Sequence, residues 1–271
     1  MNTLSAIESV PATAADAAPW PQPRVVAVLP GSLPLGGVVP DTPVHAFAQT
    51  PDPLRLQPQP DMQPRRRDID LGGLLAFVID GVVTEQEADR IVAASEVFGY
   101  REEAPGIATP PGMRMNKSVH WLADEALLGP ILQRIQPLLP QTVSGMALHG
   151  RLSHRVNMYR YDDNDVFNRH IDGDWPGYGL DAGRHTMQEW PDVRSALTML
   201  LYLNGPDDGV QGGHTRLLAR DGRWVDVTPR KGSALFFRHG FSPESVIHIG
   251  DRVFGPVPKY VARINVMYGP A

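Results

Sequence analysis

The sequence predicts a mainly β fold with supporting helices, an α+β arrangement built round a barrel or sandwich. Three observations carry that expectation. Two amphipathic helical stretches fall early, before residue 140. Short strand-like runs crowd residues 155–268. Glycine-bearing turns separate several of those runs. Helices first and many short strands later is the pattern of a helix-supported barrel or sandwich.

Residues 1–68 differ from the rest, holding 13 of the 27 prolines. We read them as a proline-rich arm packed on the core, with residues 69–271 as the folded domain. Within the arm, Val25–Leu29 predicts a short strand, while Leu33–Pro43 is apolar but broken by proline and glycine. The apolar run Ile69–Ile79 predicts a strand. Thr84 then caps a helix, with Glu87 three residues on as its capping-box partner. Ala88, Ile91, Val92 and Ser95 share one face of that helix, and Gly99 ends it. A Pro/Gly-rich loop is expected over Ala104–Gly112. A second helix begins after Asp124, with Leu127, Leu128, Ile131, Leu132 and Ile135 as its buried stripe. Pro137 and Pro140 stop it, and Pro130 sits in its first turns or kinks it. Strands are expected at Arg155–Tyr161, Asn168–Asp172, Ser195–Leu203, Trp224–Val227, Ala234–Phe237, Val246–Ile249 and Tyr260–Tyr268.

Composition removes several function classes. The formal net charge is -5 and the strongest basic run is only Arg65–Arg67, so no nucleic-acid partner is expected. The absence of cysteine excludes disulfides, thiolate catalysis and iron–sulfur clusters. No apolar stretch reaches the ~18 residues of a membrane span. Met1–Ala18 carries Glu8 and Asp16 without a basic start, unlike a signal peptide. A cytoplasmic protein is expected, with monomer and homodimer both open.

His170-Ile171-Asp172 is the first chemical motif. Residues two apart on a strand point to one face, so an imidazole and a carboxylate would enter the same cavity. A second histidine from elsewhere would complete the two-histidine, one-carboxylate triad of non-heme iron(II) oxygenases. Alone, His-x-Asp is a common chance pair. Further strings accompany it in order: Val156–Tyr161, Phe167–Asp172, Leu197–Asn204, Gly212-Gly213-His214-Thr215, Pro229–Phe237, His248-Ile249-Gly250, Lys259–Val261 and Val266–Tyr268. Together these resemble the prolyl 4-hydroxylase-like branch of the Fe(II)/2-oxoglutarate-dependent dioxygenases, over residues 73–271. Two departures stand out. His214 replaces the usual Glu of Gly-Gly-Glu-Thr, and Ile249 replaces the usual Glu after the distal histidine.

The resemblance implies a double-stranded β-helix, the jelly-roll or cupin-like squashed barrel of eight strands, with helices on its outer sheet. It places the catalytic metal on His170, Asp172 and His248. His239 competes for the third position, because the alignment is least secure around Phe241–Val246. It also implies iron(II), 2-oxoglutarate and oxygen as cofactor and cosubstrates, with C–H oxidation yielding succinate and carbon dioxide. Because Asp172 keeps its carboxylate, halogenation is not expected. The far carboxylate of 2-oxoglutarate needs a buried cation. Lys259 matches the family's position, and Arg263 shares its strand parity as a rival with a bidentate grip. Tyr161, Tyr159 and Asn157 share one strand face, and Thr215 adds a hydroxyl. Substrate contacts are expected from Trp175, Arg114, Asn116, His185 and His214, with Trp121, Tyr178, Arg184 and Trp190 nearby. A loop over Gly173–Pro191 would cover the mouth and favour a small molecule, such as an amino acid or natural-product intermediate. Other readings stay open. One is a prolyl hydroxylase acting on peptide or protein. Another is a cupin-like metal enzyme without 2-oxoglutarate. The last is a non-catalytic binding module.

Overall fold

Thr84 does at the start of the first helix what its sequence promises. Its hydroxyl accepts from the Glu87 N–H, and the Glu87 carboxylate accepts from the Thr84 N–H. Asp124 caps the second helix through the Ala126 N–H. The same Glu87 then forms a two-pronged ion pair with Arg134 of the second helix, at 2.7 and 2.8 Å. Capping and helix-to-helix docking therefore share one side chain.

The computed structural model describes residues 20–31, 41–102 and 112–270. The expected Ala104–Gly112 loop (Gly112 apart) and residues 33–40 of the apolar arm segment lie outside them. The chain runs through β1 (Arg24–Leu29), β2 (Thr42–Ala46), β3 (Arg65–Asp68), β4 (Ala76–Asp80), α1 (Glu85–Phe98), β5 (Lys117–Leu122) and α2 (Glu125–Ile135). Next come β6 (Thr142–Val143), β7 (Met146–Leu152), β8 (Arg155–Tyr161), β9 (Phe167–His170), β10 (Pro176–Leu180) and β11 (Met187–Tyr202). The last are β12 (Gln211–Gly212), β13 (Thr215–Leu218), β14 (Trp224–Val227), β15 (Ala234–Arg238), β16 (His248–Gly250), β17 (Val253–Phe254) and β18 (Lys259–Gly269).

A large sheet has the order β1-β2-β5-β8-β18-β11-β15-β4-β3, and a small one the order β14-β13-β16-β9. Strands β8, β18, β11 and β15 of the first, with the four of the second, make the double-stranded β-helix. Period-2 alternation sorts their side chains. Val156, Met158, Leu197, Met199, Leu201, Phe236, Ala262, Ile264 and Val266 pack outward, in one apolar cluster with Ile91, Leu128 and Ile131 of the helices. Tyr159, Tyr161, Leu200, Tyr202, Leu235, Phe237 and Val261 point the other way, into the barrel with Leu217 and Val227 of the small sheet.

Several boundaries differ from the sequence expectation. Ile69–Ile79 is not one strand. Gly72 and Gly73, at φ +68° and +92°, turn the chain so that β4 pairs back on β3. The Arg65–Arg67 run thus becomes an edge strand, with the Arg66 guanidinium 3.9 Å from the Phe77 ring centroid. The strand before Asp172 stops at His170, leaving the carboxylate just beyond its end. Strand β11 starts earlier than expected, at Met187, because its first residues form a hairpin with β10. Strand β2 pairs in parallel with β5, which attaches the β1–β2 hairpin to the large sheet.

Candidate active site

Strands β16 and β9 pair with His248 opposite His170. Asp172 swings in from the turn after β9. Ligand atoms of the three lie within 4.8 Å of one another. The Nε2 atoms of His170 and His248 each stand 3.9 Å from an Asp172 oxygen. Each histidine directs Nδ1 to a backbone carbonyl, Asn168 at 2.7 Å and Val246 at 3.2 Å. That contact fixes the Nδ1–H tautomer and leaves the Nε2 lone pair facing inward, the orientation a metal ligand needs. Burial, and then His248, push the His170 imidazole down to about 3. Burial lowers His248 as well. Both rings are therefore neutral donors. Burial alone would raise Asp172, but the Arg263 guanidinium, 3.2 Å away, holds its carboxyl below the usual carboxylate range. Two neutral imidazoles and one carboxylate are the donor set suited to a divalent iron.

His239 has a different task. Its Nδ1 and Nε2 lie 2.7 and 2.8 Å from the hydroxyls of Thr198 and Ser195. Thr198 donates to Asp172 Oδ2 at 2.7 Å, so its oxygen accepts from His239 Nδ1–H. Ser195 Oγ accepts the Trp175 N–H. Burial and nearby Arg263 push His239 down to about 4. Both nitrogens of this neutral ring are engaged, and the ring braces Asp172 through Thr198.

An inner chamber lies beside the triad, lined by Tyr159, Tyr161, Thr215, Lys259 and Arg263. Lys259 is only 2 % exposed. Its ammonium donates to the Gly213 carbonyl, and no carboxylate contacts it among the described residues. Burial pushes it down to about 7. A buried cation with no counter-ion fits a ligand carboxylate. Gly213 is required here: it sits at φ +67°, and a Cβ there would come within 2.9 Å of the Lys259 side chain. Thr215 Oγ1 accepts from Tyr202 at 2.8 Å, which leaves its own O–H free to donate.

Residues 156–267 match the model described as the 2OG-Fe(II) oxygenase superfamily. That match runs from β8 into β18 and takes in His170, Asp172 and His248. No curated protein matches it. Among solved structures, a Trichoplax adhaerens prolyl hydroxylase, in complex with a hypoxia inducible factor oxygen degradation domain peptide fragment, is similar at TM-score 0.50 and 14% identity, over 73% of this chain and 85% of that one. A viral collagen prolyl hydroxylase from Paramecium Bursaria Chlorella virus-1 gives TM-score 0.49 and 19% identity, over 73% and 98%. A Pseudomonas putida prolyl-4-hydroxylase gives 0.45 and 17%, over 74% and 96%. At 14% identity the first of these likenesses bears on the fold alone.

The site opens beyond the triad into an outer cavity of about 360 Å³. Trp175, Arg114, Asn157 and Tyr159 line it, with His170 and Asp172 at its floor. Asn116 does not reach it. It is fully buried and instead accepts the Arg114 Nε–H at 3.2 Å, holding that guanidinium over the Tyr159 and Phe167 rings. His185 and His214 lie outside both chambers. His185 is exposed on the β10–β11 turn beside Arg24, and His214 is not among the lining residues. The Gly173–Pro191 segment is mostly hairpin. Trp190 packs over Gly177 and Gly179 and against His154, away from the cavity. Arg184 pairs with Asp124. Trp121 faces outward onto Phe47 and Phe98. His120, Arg155 and Asn265 line the cavity without having been singled out. Strand parity offered the signal: Arg155 shares a face with Asn157, and Asn265 with Arg263.

Among the described residues, no helix is long and apolar enough to cross a membrane.

Proposed function

We propose that this dioxygenase hydroxylates an unactivated C–H bond of a small molecule. In this reading His170, Asp172 and His248 hold the iron, and Lys259 pairs with the far carboxylate of 2-oxoglutarate. The observation that carries it is the juxtaposition of three converging ligand atoms with a buried lysine that no carboxylate contacts among the described residues. Iron with 2-oxoglutarate and oxygen supplies an oxidant strong enough for such a bond, with succinate and carbon dioxide as co-products.

The chain's own residues do the rest. Thr215 and Tyr161 sit beside Lys259 to orient the cosubstrate. Arg263 stays with Asp172 and keeps it ionised, which makes Lys259 rather than Arg263 the far-carboxylate partner. His239, Thr198 and Ser195 fix the carboxylate rotamer. The cavity volume falls in the small-molecule range of roughly 300–1,000 Å³. Leu29 and Pro30 of the arm, with Trp175 and Tyr178 of the hairpin, wall it. We take the described part of the proline-rich arm as completing the substrate cavity through Leu29 and Pro30.

A metabolite screen for substrate-triggered succinate release tests this. A small molecule that accelerates succinate formation and gains one oxygen atom supports it. Turnover of proline-rich peptide with no response to any small molecule would replace it with the prolyl-hydroxylase reading.

A further inference from the structure

The outer cavity has a charge imbalance that the metal and cosubstrate do not explain. Among the described residues, three guanidinium groups, Arg114, Arg155 and Arg263, line it against a single carboxylate, Asp172. Asp172 is occupied by Arg263. Buried polar atoms are left without a hydrogen-bond partner, among them Arg155 Nε, Arg263 Nη2, Arg114 Nη2 and the side-chain oxygens of Asn157 and Asn265. A buried donor left unmade carries the full cost of its lost hydration, more so when charged. Natural interiors retain such groups where a ligand completes them.

Register locates the excess charge. Lys259 lies opposite Tyr161, and Arg263 opposite Asn157. Arg155 stands two residues beyond Asn157 at the far end of β8. It is therefore roughly 20 Å along the strand from Tyr161 and roughly 7 Å outward of the Arg263 rung. One 2-oxoglutarate seated on Lys259 does not reach it. The Arg155 guanidinium donates to His120 Nδ1 at 2.9 Å, which leaves the His120 Nε2–H as a further donor. The Trp175 and Tyr178 rings flank it at 5.6 and 5.7 Å. This is a planar fork held between aromatic walls, suited to a two-pronged grip on an oxyanion.

We propose that the outer cavity contains an oxyanion-binding subsite centred on Arg155, and that the substrate carries a carboxylate or phosphate group seated there. The proposal rests on the dioxygenase reading of the same cavity and names its substrate class. The oxidised C–H bond then lies several bonds from the anion, on the triad side of it.

The test is calorimetric titration of acetate, benzoate and inorganic phosphate into the protein loaded with iron(II) and 2-oxoglutarate under argon. Acetamide and benzamide are the neutral controls. Saturating 2-oxoglutarate keeps the probes out of the inner chamber. The expected result is binding of the anions and not the amides, weakened at least about tenfold in Arg155→Met, with iron and 2-oxoglutarate uptake retained in the variant. Phosphate binding tighter than either carboxylate would make it a phosphate subsite; the reverse order would make it a carboxylate one. Amides binding as well as acids, unchanged affinity in Arg155→Met, or loss of 2-oxoglutarate uptake in that variant would each overturn the proposal. Anion binding by a protein that takes up no iron would leave the subsite standing and remove the metal assignment instead.

Discussion

The two faces of β8, β18 and β11 are built from alternate residues of the same strands and obey opposite rules. On the helix side, Met158, Leu201, Ile264 and Phe236 are dry and closely packed. On the barrel side, Asn157, Arg263, Lys259 and Asn265 hold charges and dipoles that the protein itself does not satisfy. One face supplies stability and the other stores unmet polar contacts for ligands. Substitutions should therefore have opposite signs on the two faces.

The largest effect is expected on the helix side. Phe236 is fully buried and stacks on Phe77 at 4.9 Å. Phe236→Ala should destabilise by about 3–5 kcal/mol in denaturant unfolding. Iron affinity per folded molecule should stay unchanged. Lys259→Met is the counterpart on the barrel side. It removes a buried cation without a counter-ion, so the ligand-free protein should melt at a higher temperature. Affinity for 2-oxoglutarate should fall by about 2–5 kcal/mol, roughly 30-fold or more. A lower melting temperature in that variant would break the comparison.

A smaller effect separates bracing from ligation. Thr198→Val removes the hydroxyl between Asp172 and His239 at little change in volume. It should weaken iron binding roughly 10–100-fold, measured by competition with a chelator. The smallest effect is on pH. Burial pushes Lys259 down to about 7 from 10.5. Between those values the unfolded chain holds a proton that the folded one has lost, so ligand-free stability should rise with pH across that window. Affinity for 2-oxoglutarate needs the ammonium and should decline as pH passes 7. Lys259→Met should flatten both profiles.

Much of this was legible because it is local. The capping box at Thr84 and Glu87 is a three-residue pattern. The stripe of the second helix is a 3.6-residue pattern, and it buries as its spacing says. The alternation of β18 distinguishes the Lys259 face from the Ile264 face without any tertiary knowledge. What escaped depended on distant partners. Strand β5, Lys-Ser-Val-His-Trp-Leu, is not among the strands expected from sequence. It becomes a strand because β8 pairs along its whole length, and that pairing brings His120 to Arg155. Trp190 and His185 belong to a tryptophan-rich segment placed before the barrel mouth. Gly177 and Gly179 let the indole fold flat onto the hairpin instead. His239 and His248 are both buried histidines near the end of the chain. The hydroxyls of Ser195 and Thr198, some forty residues away, mark His239 as the brace, and pairing opposite His170 marks His248 as the inward-facing imidazole.

The choice between those two histidines is also the most direct test. Iron(II) would be titrated under argon, with 2-oxoglutarate present, into the unaltered protein, His248→Ala and His239→Ala. The unaltered protein should bind one iron per chain. His248→Ala should take up none at comparable concentrations. His239→Ala should still bind, roughly 10–100-fold more weakly. Full iron binding by His248→Ala, with loss in His239→Ala, would contradict the account.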